Sequence, residues 1–267
     1  MEIIKNKSCF KLAIIFILFM KCITKFIQYV YCIYALLMFI IIMLVLFPFI
    51  LIASAFGIKG GNFIYTLCRV WARTWYLFIG IFHKEIYEEK HNRHTQYIFI
   101  ANHISYLDIP PVVATIKQPF RALGKYEMVK IPVFGQIYRA CVILVDRSSA
   151  EKRSKSVRAL KAALQHGISI FLFPEGTFNE TGKPLKNFYD GAFKIAIETQ
   201  TSIKPMLFID SLQRMDYKSI FSLTPGKNRV VYLKEISVVG LTMNDLQTLK
   251  QQVYNLMEDG LKRYANN

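Results

Sequence analysis

Acidic side chains are scarce in this chain. Eighteen Asp and Glu stand against thirty-four Lys and Arg over 267 residues, a formal net charge of +16. That balance suits an anionic partner: nucleic acid, an anionic membrane surface or phosphorylated substrates. Cysteine is sparse too. The five present are an odd number without C-x-x-C spacing, and no Cys/His cluster has zinc-ligand spacing. They read as reduced and structural thiols, as expected of a domain facing the cytoplasm. There is no internal repeat, no low-complexity tract and no recognisable nucleic-acid-binding motif. The basic residues are spread along the chain, which argues against nucleic acid. No G-x-S-x-G elbow occurs, so an enzyme-borne serine nucleophile lacks its usual frame.

One long stretch lacks charge altogether. Tyr31 to Phe56 holds no Asp, Glu, Lys, Arg or His; about 26 residues at about 1.5 Å each reach about 39 Å, enough to cross a hydrocarbon core of about 30 Å. Upstream, Lys5, Lys7 and Lys11, the apolar run Leu12 to Met20, then Lys21 and Lys25 resemble a signal peptide's charged and apolar regions, but no small-x-small cleavage site follows. Residues 1–57 are therefore expected to be a membrane anchor and 58–267 a domain of catalytic size. Pro48 kinks a single span or, as the alternative, breaks a re-entrant hairpin. Basic residues flank both sides, so charge alone leaves the orientation open.

Gly57 to Gly61 are expected to form a flexible break. Residues 61–82 then surround Arg69 and Arg73, four apart on one helical face, with aromatics that include both tryptophans, Trp71 and Trp75. This fits a helix lying in the headgroup region or, with equal claim, an ordinary packing helix. His83 to His94 is polar and reads as a loop or exposed hairpin, with His91 and His94 solvated. Beyond it, strands are expected at Tyr97–Ala101, Cys141–Val145, Ile168–Phe173, Lys204–Ile209 and Arg229–Leu233. Ser148-x-x-Glu151 opens a basic helix that runs to about His166, with Val157, Leu160 and Leu164 on its apolar face. Thr242-x-x-Asp245 opens another, carrying Leu246, Leu249, Val253 and Leu256. The alternation predicts an α/β domain: a mostly parallel sheet flanked by helices, behind an N-terminal membrane-associated helical region.

Three stretches carry chemistry. In the first, the apolar run Tyr97 to Ala101 delivers Asn102-His103-Ile104-Ser105-Tyr106-Leu107-Asp108 into a polar turn. A neutral His103 can take a proton from a hydroxyl if a carboxylate holds its other nitrogen. Asp108 can fold back to do so if a helical turn begins at Ile104. Without a framed enzyme nucleophile, the substrate supplies the attacking hydroxyl and transfer is direct. In the second, Phe173-Pro174-Glu175-Gly176-Thr177-Phe178 ends a strand in a tight turn where Glu175 and Thr177 can orient substrate hydroxyls or neighbouring loops, and Gly176 allows close backbone approach. In the third, Gly124-Lys125 leads through Pro132 and Gly135 to Arg147, which sits at the end of an expected strand. Ligands gather at strand carboxyl ends in open α/β sheets, so Arg147 can bind a phosphate bidentately beside Lys125 as a point charge. His103 and Asp108 have no third partner at metal-ligand spacing, so no metal is expected.

Together the stretches resemble the phospholipid/glycerol acyltransferase family, most nearly the 1-acylglycerol-3-phosphate (lysophosphatidate) acyltransferases. Asn102-His103 through Asp108 resembles the family's N-H-x(4)-D block, Lys125 through Arg147 its second, Phe173 through Thr177 its third and Lys204-Pro205 its fourth. Lys186-Asn187-Phe188 through Phe193 is similar to the segment after the third. The resemblance spans roughly residues 70–240 and implies a membrane O-acyltransferase of phospholipid biosynthesis. It would move a fatty acyl group from acyl-CoA or acyl-carrier protein to the sn-2 hydroxyl of lysophosphatidate, without a cofactor. By the same resemblance His103 is the general base and Asp108 its orienter. Arg147 and Lys125 contact the acceptor's phosphate, and Glu175, Gly176 and Thr177 shape its pocket. Phe178 stands where the family often has Arg, and Lys204 where a small apolar residue is usual. The alternative is another lysophospholipid or an amino-acid lyso-lipid as acceptor, and a more distant one is a non-enzymatic basic lipid-binding protein.

Overall fold

In a computed structural model, described for residues 2–145 and 149–265, the first element is a single helix, α1 (Glu2–Ser54), with Pro48 inside it and no hairpin. Ile14–Ser54 contains a stretch of mean hydropathy 3.2 and is long and apolar enough to cross a membrane. At about 1.5 Å per residue this stretch runs about 60 Å, roughly twice a hydrocarbon core. Between Ile14 and Val30 nearly every side chain is exposed, whereas Cys32, Ala35, Ile50 and Ala53 are buried against the rest of the chain.

The glycine-rich segment is a tight corner and not a flexible break. Helix α2 (Gly57–Phe78) begins within it, and a Cβ on Gly60 would stand 1.8 Å from the Ala53 carbonyl oxygen. Only glycine lets the two helices meet there. Trp75 donates from Nε1 to Ala35 O at 2.8 Å, and Phe39 meets Trp71 edge-on at 4.7 Å. Both tryptophans are thus turned toward α1. Leu77 and Phe78 point outward.

The domain beyond α2 is built on a seven-stranded sheet of order β1-β7-β6-β2-β5-β3-β4. The strands are β1 (Ile81–Tyr87), β2 (Ile98–Ala101), β3 (Phe120–Lys125), β4 (Val142–Val145), β5 (Ser169–Leu172), β6 (Ile203–Phe208) and β7 (Gly226–Tyr232). Among the described residues only the β6–β7 pair is antiparallel, so the mostly parallel α/β class holds. Strands β2, β5 and β6 are buried on both faces, and each reads as a continuous apolar run with few exceptions. One layer of helices, α5 (Ala150–Gln165), α6 (Gly191–Thr199) and α8 (Leu246–Ala265), packs Leu160, Leu164, Phe193, Leu249 and Val253 against one face. On the other face Phe99, Phe120, Phe171 and Val230 meet Ile50, Ile64 and Tyr65 of α1 and α2.

Several expectations are corrected. The first part of the segment from His83 is not a loop, because Ile81–Tyr87 forms β1 and pairs in parallel with β7, while residues 88–94 do form one. Its alternation is blurred because an edge strand need bury little. His91 is not solvated: it is half-buried, its ring 5.0 Å from Tyr232 and 5.6 Å from Phe99, and burial pushes its pKa down to about 4. The cap of α5 is Ser149, whose hydroxyl accepts from Lys152 N at 3.2 Å; Ser148 lies outside the described residues. Strand β3 was not expected from the sequence, because Arg121 and Gly124 interrupt its apolar pattern. Gly124 is required there, since its Cβ would come within 2.3 Å of the Tyr138 hydroxyl. On α8 Met257, not Leu256, completes the buried face.

Candidate active site

Strand β2 ends in Asn102, whose side chain makes two hydrogen bonds to one residue of β6. Nδ2 donates to Phe208 O at 3.0 Å and Oδ1 accepts from Phe208 N at 2.8 Å. A side-chain amide is the group that can imitate a strand partner in this way, and it fixes where the chain leaves the sheet. The next residue, His103, is thereby held at the carboxyl edge.

The turn after it folds as the spacing to Asp108 requires, but starts later than Ile104. Ser105 caps a 3-10 turn (Tyr106–Asp108), accepting from Leu107 N at 3.0 Å and donating to Met215 O at 2.6 Å. Its hydroxyl is fully buried and serves this turn. Asp108, with 0 % side-chain exposure, folds back so that Oδ2 lies 3.0 Å from His103 Nδ1 and accepts from Ile104 N at 2.7 Å and Ser105 N at 2.8 Å. The carboxylate places the proton on Nδ1 and leaves Nε2 as the basic nitrogen. His103 itself keeps 16 % of its side chain exposed.

After Asp108, Pro110 and Pro111 open a short helix, α3 (Ile109–Thr115). Arg69 donates to Ile116 O at 2.9 Å and Arg73 to Ala114 O at 3.2 Å. These two cations satisfy the orphan carbonyls at the negative end of α3. Their fourfold spacing on α2 serves the helix that directly follows the dyad.

Of the roles open to Glu175, the hydrogen bonds are those of a residue that orients neighbouring loops. It is completely buried, its Oε1 accepting from His103 N at 2.8 Å and its Oε2 from Lys186 N at 2.9 Å. It braces the loop under the base and does not face an acceptor. Asn179 N donates to His103 O at 2.7 Å and completes the brace. Gly176 has φ +73°, the left-handed conformation the turn needs. Thr177 is exposed, its Oγ1 2.7 Å from Lys186 Nζ.

Burial raises the Glu175 pKa from 4.5 to about 7, outweighing the two amide donors. The folded state therefore binds this proton more tightly than the unfolded chain. The associated stability is fully present below about pH 4.5 and is lost as the pH rises to about 7, up to about 3 kcal/mol at about 1.4 kcal/mol per unit. Thermal denaturation in detergent is expected to give a lower midpoint at pH 7 than at pH 5 for the wild type, and a smaller difference for Glu175→Gln. Equal slopes would mean that Glu175 does not titrate in this interval.

Two aromatic rings enclose the imidazole, a feature the motifs alone do not disclose. Phe173 stacks on it at 3.8 Å and 10°, and Phe178 lies 4.4 Å away and also meets Tyr106 at 4.8 Å. Phe173 and Tyr106 also line an apolar cavity of about 400 Å³ that extends between α1, α2 and the sheet, past Phe39, Met43, Trp71 and Phe171. A cavity of this size is within the range of small-molecule pockets.

Lys125 closes β3 on the same edge, two strands from β2, or about 10 Å at the usual strand spacing. Its side chain is 70 % exposed, with Nζ 3.8 Å from Glu127, a pairing too wet to hold it. Arg147 lies outside the described residues. Lys204 is fully buried at the opposite end of the sheet, donating to Glu89 O at 3.1 Å. Among the described residues no group of three or more His, Cys, Asp or Glu could hold a metal ion. Cys68 and Cys141 face each other in the cavity wall at 3.6 Å, both as thiols.

Residues 84–209 match the family model described as Acyltransferase. A 1-acyl-sn-glycerol-3-phosphate acyltransferase of Cocos nucifera is 34 % identical over 115 residues, 42 % of this chain and 37 % of that protein. The alpha form of the same-named enzyme from Mus musculus is 28 % identical over 163 residues, 60 % of this chain and 57 % of that one. The chain thus spans well under two thirds of the length of these curated relatives. Among solved structures, the 1-acyl-sn-glycerophosphate (LPA) acyltransferase PlsC of Thermotoga maritima superposes with a TM-score of 0.70 at 20 % identity, covering 88 % of this chain and 97 % of that one. At that identity the likeness concerns the fold.

Proposed function

We propose that this chain, an acyltransferase-family protein through its residues 84–209, transfers a fatty acyl group from an acyl thioester to the sn-2 hydroxyl of 1-acylglycerol-3-phosphate, giving phosphatidate for phospholipid synthesis. The observation that carries this reading is the His103–Asp108 pair, joined at 3.0 Å and opening on an apolar cavity that Phe173 shares with the imidazole. His103 Nε2 takes the proton of the acceptor hydroxyl as its oxygen attacks the thioester carbonyl. The imidazolium, stabilised by Asp108, returns that proton to the departing thiolate. No protein group is acylated, and no cofactor enters these steps. The cavity accommodates an acyl chain, and its apolar wall excludes water from the thioester.

Residues 1–57 anchor the domain in the bilayer, with the exposed apolar surface of Ile14 to Val30 in lipid and the catalytic domain on the cytoplasmic side. The net charge of +16 favours an anionic lipid surface and the phosphates of acyl-CoA or acyl-carrier protein. Against an anionic acceptor stands one observation: Phe178, not a cation, lies against His103. It favours a second reading, transfer to another lyso-lipid by the same chemistry.

An acceptor panel separates the two. Purified full-length protein, given each donor type in turn, is expected to acylate lysophosphatidate at least about tenfold faster than lysophosphatidylcholine or monoacylglycerol, since a charge-assisted phosphate contact supports discrimination of that order. Preference for a zwitterionic or uncharged acceptor would reject lysophosphatidate.

A further inference from the structure

One cation near the dyad has no role in the steps above. Lys186 sits on the strand-to-helix connection after the Glu175 turn. Its backbone N–H is held by Glu175 Oε2 at 2.9 Å, while Oε1 of the same carboxyl holds His103 N at 2.8 Å. A single buried side chain therefore spans from the base to Lys186 and fixes one relative to the other. The ammonium reaches back to Thr177 Oγ1 at 2.7 Å.

We propose that Lys186 and Thr177 together bind a phosphate ester at the mouth of the site, and that this ester is the acceptor's phosphate monoester; the assignment rests on the lysophosphatidate reading above. In the Lys186–Thr177 contact the threonine oxygen accepts, so its own O–H remains a donor, as do the other N–H groups of the ammonium. Donors clustered in this way suit the several acceptor oxygens of a phosphate. Phe178 follows Thr177 directly, and its ring lies 4.4 Å from the imidazole. A glycerol laid across that ring would join a phosphate at Thr177 to a hydroxyl at His103. Glu175 has both oxygens engaged by backbone amides, so neither is needed by the Lys186 ammonium. Lys125, by contrast, lies two strands away on the far side of β5.

The phosphate could also be the donor's, because both acyl-CoA and phosphopantetheine carriers bear phosphates. Kinetics of the full-length protein with each substrate varied in turn distinguishes the sources. Lys186→Gln is expected to raise KM for lysophosphatidate about tenfold, with the loss carried by KM rather than kcat, and to leave KM for the acyl thioester unmoved. Lys186→Arg is expected to restore most of the affinity. Calorimetric titration of the same proteins in detergent provides a readout that needs no turnover. Lysophosphatidate is expected to bind Lys186→Gln about tenfold more weakly than wild type, and monoacylglycerol to bind both alike. An increase confined to the donor's KM overturns the acceptor assignment. Equal lysophosphatidate affinity in both proteins overturns the phosphate-binding role altogether. A wild type that binds lysophosphatidate through Lys186 but acylates only another lyso-lipid overturns the parent function and leaves the binding pair standing.

Discussion

Replacing His103 with Ala is expected to lower acyl transfer by about 10²–10⁴-fold, the contribution of a positioned general base, while the fold survives. The ring lies on the sheet edge, and the elements beneath it are anchored by other groups: Asn102 on Phe208, Ser105 on Met215, and Glu175 on the backbone N–H of residue 103, which Ala retains. The side chain's own loss removes one hydrogen bond and two aromatic contacts. Its cost is about 1–2 kcal/mol, a few degrees in melting temperature for a chain of this size. Initial rates with saturating donor and acceptor, alongside circular dichroism melts, separate catalytic loss from unfolding. A variant that retains more than about a tenth of the wild-type rate would falsify the general-base assignment.

Asp108→Asn tests the other half of the pair, and here the charge is removed while the shape stays. Asp108 Oδ2 accepts from Ile104 N, Ser105 N and the imidazole, and an amide oxygen in its place has two lone pairs for these three donors. What disappears is the negative charge that stabilises the imidazolium formed during transfer. The rate is expected to fall about 10²-fold, within the range of the base's own contribution. A stability cost accompanies the change. Oδ1 is buried with no hydrogen-bond partner among the described residues, and an NH₂ there finds no acceptor, which costs about 1–3 kcal/mol. An undiminished rate would show that Asp108 acts on the turn alone.

Both experiments bear on a dyad whose members lie five residues apart, so that much was legible locally. The same holds for the α/β class, since apolar runs such as Ile98–Ala101 and Ser169–Leu172 announce strands buried on both faces. Strand β1 was not legible, because Ile81–Tyr87 draws its strand character from pairing with β7, over a hundred residues away. Arg69 and Arg73 were misleading for a related reason. Their spacing describes a helix face, but which face meets what depends on α3 arriving beneath it.

Glu175 makes the point most directly. Its place in a strand-ending turn left substrate hydroxyls and neighbouring loops both open, and the structure gives both carboxylate oxygens to backbone amides from residues 72 before and 11 after it. By itself the sequence determined the membrane-length apolar helix, the strand–helix alternation, and a histidine and carboxylate spaced for proton transfer, because each depends on periodicity or on contacts within one turn. Only the tertiary structure decided that Phe173 and Phe178 enclose the imidazole, that a cavity of about 400 Å³ opens beside it, and that Lys186 is tied to the base through a buried carboxyl. Those relations join residues far apart in the chain, and packing, not local preference, brings them together.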